Sequence, residues 1–369
     1  MVDRKRIVFL IYGLMGGGAE HSCITTANQL AKRGNDVSIY LLCNDKKTIF
    51  EIDPHVKVYG TPPLRFGYVV SSFLIYTQWI LQRNVPDVLI SYMWAANFFA
   101  AWMARIFKIP VILSERSNPE MARPFSLPHT EENAKRLFRY AEKIVVLDDE
   151  IGEYMSQNFL IPRKKFVTIF NSRNEVACKD PKPGWLPGRY LLAAGRLCRV
   201  KGFDRLIRMF SRIAEQVNDV ALVICGEGEL KDSLQKQIND LHMQGRILLA
   251  GIQKNMPPIY ANAEAFLLTS HYEGLPGVIL ESLIWGKCPA ISFDVKYGPS
   301  NIITHGKNGL LIPQDDEDAF VNAVVSYLKD PAMRSNFVRN IPETVKKFSP
   351  ECIMEQWEKV IAEAAEKRG

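Results

Sequence analysis

Short runs that stay apolar at every position, set between helical patterns, recur along the whole chain. They read as strands at Ile7–Ile11, Val37–Leu42, Val88–Ile90, Val111–Leu113, Ile144–Leu147 and Val167–Ile169. A second set follows at Tyr190–Ala194, Ala221–Ile224, Ile247–Ala250, Ala265–Leu268, Pro289–Ile291 and Gly309–Ile312. A strand with one face in water alternates polar and apolar residues. A strand apolar throughout has both faces covered, as in parallel sheets flanked by helices. The sets are separated by Asp180-Pro181-Lys182-Pro183-Gly184, and 369 residues suffice for two domains of roughly 150–200 residues each. The predicted fold class is therefore α/β, with two Rossmann-like, doubly wound parallel-sheet domains over residues 1–180 and 185–349. Residues 350–369 carry Trp357, Val360, Ile361 and Ala364 at helical spacing, which predicts an amphipathic helix used for core packing.

Composition narrows the function classes. The net charge of +6 is uneven: residues 1–180 hold 23 Lys and Arg against 18 Asp and Glu, and the remainder 23 against 22. That excess suits weak attraction to phosphates or an anionic membrane surface, although solubility alone explains it as well. The basic residues form no run or aromatic-interleaved stripe, which argues against nucleic acid. Seven cysteines, none in a C-x-x-C pair, and six scattered histidines argue against a disulfide framework or a metal site and for a reducing cytosol. The N-terminal Arg4-Lys5-Arg6 before Ile7–Met15 looks like a leader, but the glycines that follow fit a buried first strand better. The apolar stretches Phe66–Leu81 and Val88–Ile109 are interrupted by polar residues and fall short of the ~20 apolar residues of a spanning helix. The expectation is a cytoplasmic protein, at most peripheral at the inner face of a membrane.

Ligands of open α/β sheets bind beyond the carboxyl ends of the strands, so a cleft between the two domains is the expected site. Three loops there carry unusual residues. Gly16-Gly17-Gly18-Ala19-Glu20 follows the first strand; its glycines admit a phosphate to a helix N-terminus, and a tight turn explains them equally. The spacing is not G-x-G-x-x-G, which weighs against a nicotinamide oxidoreductase. Ala194-Gly195-Arg196-Leu197 follows another strand, with Lys201-Gly202-Phe203-Asp204 beyond it. An Arg fork and a Lys point charge suit a diphosphate, whereas two solvated cations are the bland alternative. In Ser270–Glu281 a Gly/Pro turn precedes a helix from about Val278. The amides of Leu275 to Val278 would face an anion, Glu281 would accept from ribose hydroxyls and Glu273 from sugar hydroxyls; helix-start acids are the alternative.

These motifs, with Gly226-Glu227-Gly228-Glu229-Leu230 and Asn308-Gly309-Leu310-Leu311, make the chain resemble the family 4 retaining glycosyltransferases of GT-B fold. The resemblance spans nearly the whole chain and rests on motif order and spacing. It implies that Arg196, Lys201 and Glu273 carry the catalytic role, the cations neutralising the leaving diphosphate while Glu273 holds the transferred sugar. It implies donor binding by Gly17, Gly18, Gly226, Leu275, Pro276, Gly277 and Glu281. It also implies that the C-terminal helix crosses back to the first domain, and that no metal or other cofactor is needed. Where many members place a His after the Val111–Leu113 strand, this chain has Arg116 within Ser114-Glu115-Arg116-Ser117-Asn118-Pro119. Glu115 and Arg116 are the candidate sugar or acceptor contacts there. Members that build bacterial surface or lipid-linked glycans look similar around this segment and around Phe293-Asp294…Gly298-Pro299-Ser300.

The expected activity is transfer of an N-acetylhexosamine or hexose from a UDP-sugar to a lipid-linked oligosaccharide or surface-polysaccharide acceptor. Alternatives are a GDP-mannose-dependent mannosyltransferase of the same fold, or a nucleotide-sugar-binding protein without catalysis. The acceptor is expected at the first domain, where Tyr92, Trp94, Phe98, Phe99 and Trp102 cluster; helix core is their other reading. Asp316-Glu317-Asp318 spells D-x-D but opens a helix, as does Asp148-Asp149-Glu150, so both read as caps rather than metal ligands.

Overall fold

A computed structural model describes residues 4–14, 17–43, 48, 50–60, 77–78, 85–116, 131–176, 178 and 180–366. Gly16, Ser117-Asn118-Pro119 and nearly all of Phe66–Leu81 lie outside them. The chain divides into two units, Met1–Ser172 with Pro350–Gly369, and Arg173–Ser349. The Pro/Gly-rich segment Asp180–Gly184 lies within the second.

The first unit runs β1 (Arg6–Ile11), α1 (Gly18–Lys32), β2 (Asp36–Leu41), β3 (Lys57–Gly60), β4 (Val88–Tyr92) and α2 (Trp94–Phe107). It continues with β5 (Val111–Ser114), α3 (Glu131–Leu137), β6 (Lys143–Val146), α4 (Asp149–Phe159) and β7 (Phe166–Thr168). The second begins β8 (Tyr190–Ala194), α5 (Phe203–Gln216), β9 (Ala221–Cys225), α6 (Lys231–Asp240), β10 (Ile247–Gly251) and α7 (Pro257–Ala261). It ends β11 (Phe266–Leu268), α8 (Gly277–Gly286), β12 (Ala290–Asp294), α9 (Pro299–Ile302), β13 (Gly309–Pro313), α10 (Glu317–Lys329) and α11 (Pro331–Val345). Helix α12 (Pro350–Ala365) belongs to the first unit.

All named strand pairs are parallel, in a seven-stranded sheet ordered β3-β2-β1-β4-β5-β6-β7 and a six-stranded sheet ordered β10-β9-β8-β11-β12-β13. The apolar runs account for this. Strands β4, β5 and β8 are buried along their whole length, as sheets covered on both faces require. Every predicted strand is present, its ends within three residues of the expected ones. The edge strand β3 was not anticipated, because four residues with an exposed Lys57 carry too little pattern. In each sheet the order reverses at the first strand of the unit, so the loops after β1 and β8 stand at topological switch points.

Helix α12 buries Ile353, Met354, Trp357, Val360, Ile361 and Ala364 in one core with β1, β2 and β4. It is the returning helix that the resemblance implied, and its role is packing. Tyr92, Trp94, Phe98 and Phe99 are likewise core, whereas Trp102 is 38% exposed.

Candidate functional site

In the second unit the loop after β8 is built by backbone meeting backbone. Gly195 N–H donates to Cys225 O at 3.0 Å and Leu197 N–H to Glu227 O at 2.9 Å. Gly226 has φ of 142° and a Cβ there would come 1.9 Å from Gly195 O, so no side chain fits. The two strand ends are thereby locked together, and Arg196 projects from the locked turn. Its side chain is exposed and forms no hydrogen bond or ion pair among the described residues.

Lys201 closes a single 3₁₀ turn before α5. Its Nζ donates to Glu273 Oε1 at 2.6 Å, and Ser270 Oγ donates to the same oxygen at 2.6 Å. Sequence reasoning gave the lysine to a diphosphate and the glutamate to a sugar; the fold brings the two together as one ion pair. A third cation, missed in the sequence, fixes the loop that carries Glu273. Arg205 is buried on the apolar face of α5, with Nε donating to Thr269 O and Nη2 to Ser270 O, both at 2.7 Å. Its Nη1 pairs with Asp315 Oδ1 at 2.5 Å and the guanidinium lies 4.3 Å from the Phe293 ring centre. The only hint was an arginine at a position where amphipathic spacing calls for an apolar residue.

The turn Gly274-Leu275-Pro276 ends β11's loop and opens α8, whose N-cap Pro276 supplies no side-chain acceptor to the first turn. Leu275 is buried beneath it. One turn into α8, Glu281 Oε1 pairs with Arg173 Nη2 at 3.0 Å, and its Oε2 accepts from Tyr260 Oη at 3.1 Å. Burial pushes the Glu281 carboxyl up from its ordinary value, against the pull of the Arg173 charge and of the Tyr260 hydrogen bond. Neither Arg173 nor Tyr260 was anticipated, since nothing local in the sequence links them to Glu281.

In the first unit, Gly17 caps α1 in extended conformation with the Glu20 carboxylate folded against it, and Gly18 has open space where a Cβ would stand. Glu115 is 1% and Arg116 8% exposed. Asn97 Nδ2 donates to Glu115 Oε2 at 3.3 Å, and the Arg116 amide to its Oε1 at 3.1 Å. The Arg116 guanidinium gives Nε to Ser114 Oγ at 2.7 Å and Nη1 to Ile169 O at 2.9 Å and Asn171 Oδ1 at 3.3 Å. It lies 5.1 Å from the Tyr92 ring centre and 5.6 Å from that of Trp357. Its Nη2 is buried without a hydrogen-bond partner among the described residues. Both residues are thus committed to the framework of their own unit.

Asp316 Oδ1 accepts from Ala319 N–H at 2.9 Å and Asp148 Oδ1 from Glu150 N–H at 2.8 Å, so both acidic runs cap helices. Among the described residues no group of His, Cys, Asp and Glu is arranged to hold a metal, and no helix is long and apolar enough to cross a membrane. Chemically, the second unit offers an unpaired guanidinium, a Lys–Glu pair, an uncapped helix start and a carboxylate held at both oxygens. These are ligands for phosphate and for hydroxyl groups.

A sequence model described as "Glycosyl transferases group 1" matches residues 181–344, and one described as "Glycosyltransferase Family 4" matches residues 16–174. A Campylobacter jejuni protein described as an undecaprenol-diphosphate-linked-glycan alpha-1,4-N-acetyl-D-galactosaminyltransferase is 27% identical over 97% of this chain and 98% of its own length. The Erwinia amylovora amylovoran biosynthesis glycosyltransferase AmsD is 25% identical over 96% of this chain and 99% of its own. The crystal structure of Anabaena HepE in complex with UDP superposes with a TM-score of 0.80 at 19% identity, covering 97% and 99% of the two chains.

Proposed function

The chain belongs to the family 4 glycosyltransferases and has their GT-B fold, and from that premise we propose a specific reaction. It moves an N-acetylhexosamine or hexose, with retention of anomeric configuration, from a UDP-sugar to a lipid-linked oligosaccharide or surface polysaccharide. The observation that carries this reading is the Lys201–Glu273 pair, which joins the loop after β8, the switch point of the second sheet and the loop that also bears Arg196, to the loop that opens α8. On this reading Arg196 and Lys201 stabilise the diphosphate as it leaves and Glu273 holds the sugar. Glu281 takes the ribose hydroxyls, and the backbone at Gly226, Leu275, Pro276 and Gly277 lies along the donor. In the first unit, Gly17 and Gly18 at the start of α1 keep the donor-phosphate role that the resemblance gives them. Stabilising charge that develops on the leaving group is the largest effect such a site can exert. No metal enters the scheme.

The UDP moiety is supported by HepE, solved with UDP, and the amino sugar and lipid diphosphate by the description of the Campylobacter protein. Association with an anionic membrane face is supported by an exposed group in the first unit. Trp102, Ile106 and Tyr140 stand at its surface, with Arg105 over the Trp102 and Tyr140 rings at 5.4 and 5.6 Å. We read Glu115 and Arg116 as shaping the acceptor side from beneath.

The test is turnover of UDP-N-acetylgalactosamine, UDP-N-acetylglucosamine, UDP-glucose and GDP-mannose against undecaprenyl-diphosphate glycans, with the product anomer read by NMR. Turnover of GDP-mannose alone, or an inverted anomer, would sink the reading. In a thermal-shift series, a donor at 100 times its Kd adds about 2.7 kcal/mol to stability.

A further inference from the structure

Arg173 has no place in the scheme above, yet it is built against the residue assigned to the ribose. Its Nη2 lies 3.0 Å from Glu281 Oε1, and the two side chains are only 13% and 17% exposed. The guanidinium also fills the space beside the first residue of α8: a Cβ on Gly277 would come 2.7 Å from Nη2. The segment bearing Arg173 is fixed on both sides. Arg173 N–H donates to Phe348 O at 3.1 Å, and Trp285 Nε1, on α8 itself, donates to Asn174 O at 2.9 Å. Among the described residues, two charged or titratable groups face Glu281: Arg173, from the segment before β8, and Tyr260, from α7. Burial holds the Tyr260 phenol well above its ordinary value, so it remains a donor. Among the described residues, that leaves Arg173 as the one positive charge beside a buried carboxylate.

We infer that Arg173 is a positioning residue that keeps Glu281 ionised and aimed, so that donor ribose is captured at neutral pH. The inference rests on the reading that Glu281 binds the ribose. Its physical basis is direct. A carboxylate this buried is pushed toward its neutral form, and the adjacent guanidinium is the charge that opposes this. Removing the guanidinium moves the carboxyl further up. A protonated Glu281 accepts hydroxyl hydrogen bonds less well than a charged one.

The experiment follows the KM for the UDP-sugar from roughly pH 5.5 to pH 8.5 in the full chain and in R173M, R173Q, R173K and E281Q; each pKa unit of upward shift weakens the ionised form tenfold at pH values below it. In R173M and R173Q, KM is expected to rise on the acid side and fall as pH increases through the shifted Glu281 pKa. The kcat should change less than KM. R173K, which restores charge without the fork, should recover most of the wild-type profile, and R173Q serves if R173M does not fold. The double variant E281Q/R173M should have no acid limb. An R173M or R173Q profile parallel to wild type overturns the inference. The ribose reading fails separately, by an E281Q enzyme whose donor KM equals that of wild type.

Discussion

The ammonium of Lys201 and the carboxylate of Glu273 lie 2.6 Å apart, although one follows β8 and the other β11. The pairing sets charge and countercharge at the junction of the two loops to which the proposed function assigns the donor. Each partner also limits the other: the lysine holds the nearly buried carboxylate in place, and the glutamate keeps the ammonium from swinging into solvent. Lys201→Ala should therefore lower kcat by roughly 10²–10³-fold, the scale found when one donor to a developing oxyanion is lost. Steady-state turnover at saturating donor checks this. A variant within twofold of wild type would remove Lys201 from the chemistry.

Arg205 tests whether the Glu273 loop is held from behind. Its guanidinium satisfies the carbonyls of Thr269 and Ser270, four and three residues before Glu273. In Arg205→Met those buried acceptors lose charged donors, a loss of about 1.5–3 kcal/mol for each bond to a charged group. Both stability and kcat should fall, while the conservative Arg205→Lys should recover neither fully because it cannot fork. Chemical denaturation read beside turnover separates the two effects: an enzyme that loses stability but keeps kcat would show that the loop does not need this anchor.

Trp102 and Arg105 address the membrane part of the reading. An indole at the surface, with a guanidinium over its ring, matches an interface that is apolar on one side and anionic on the other. W102A should weaken sedimentation with vesicles containing phosphatidylglycerol, R105E should weaken it further, and added salt should mimic R105E. Neutral vesicles should bind little. Equal binding of wild type and R105E to anionic vesicles would count against the patch.

What could be read from the sequence follows physical scale. Continuous apolar strands announce themselves because burial on two faces leaves no polar position, so the parallel sheets were legible at every strand except β3. Loop glycines such as Gly226 were legible as unusual, but their reason, a Cβ driven into Gly195 O, exists only once two strands are side by side. Glu273, Lys201, Arg196 and Glu281 stood out from motif order. Arg205, Arg173 and Tyr260 did not, because each acts on a residue tens of positions away and looks ordinary in its own segment. The same limit hid the pairing of Lys201 with Glu273, 72 positions apart.

Arg116 and Trp357 supply the last prediction. The guanidinium is 5.6 Å from the Trp357 ring centre, and the ring also stacks on Tyr92 at 6.3 Å. A cation at the end of β5 thus ties the returning helix α12 to the centre of the first sheet. Trp357→Ala should cost about 3–5 kcal/mol, as large-to-small changes in a packed core do. By contrast Lys143→Ala, which breaks the surface pair with Glu363 on the same helix, should cost under about 1 kcal/mol. Arg116→Met keeps much of the volume but strands the carbonyl of Ile169 and the side chain of Asn171, so it too should destabilise. If the cation and the ring act as one unit, the double variant should lose less than the sum of the singles, by about 0.5–3 kcal/mol. Strict additivity in denaturant titrations would mean that Arg116 holds only the backbone at Ile169, and that α12 is kept in place by its apolar face alone.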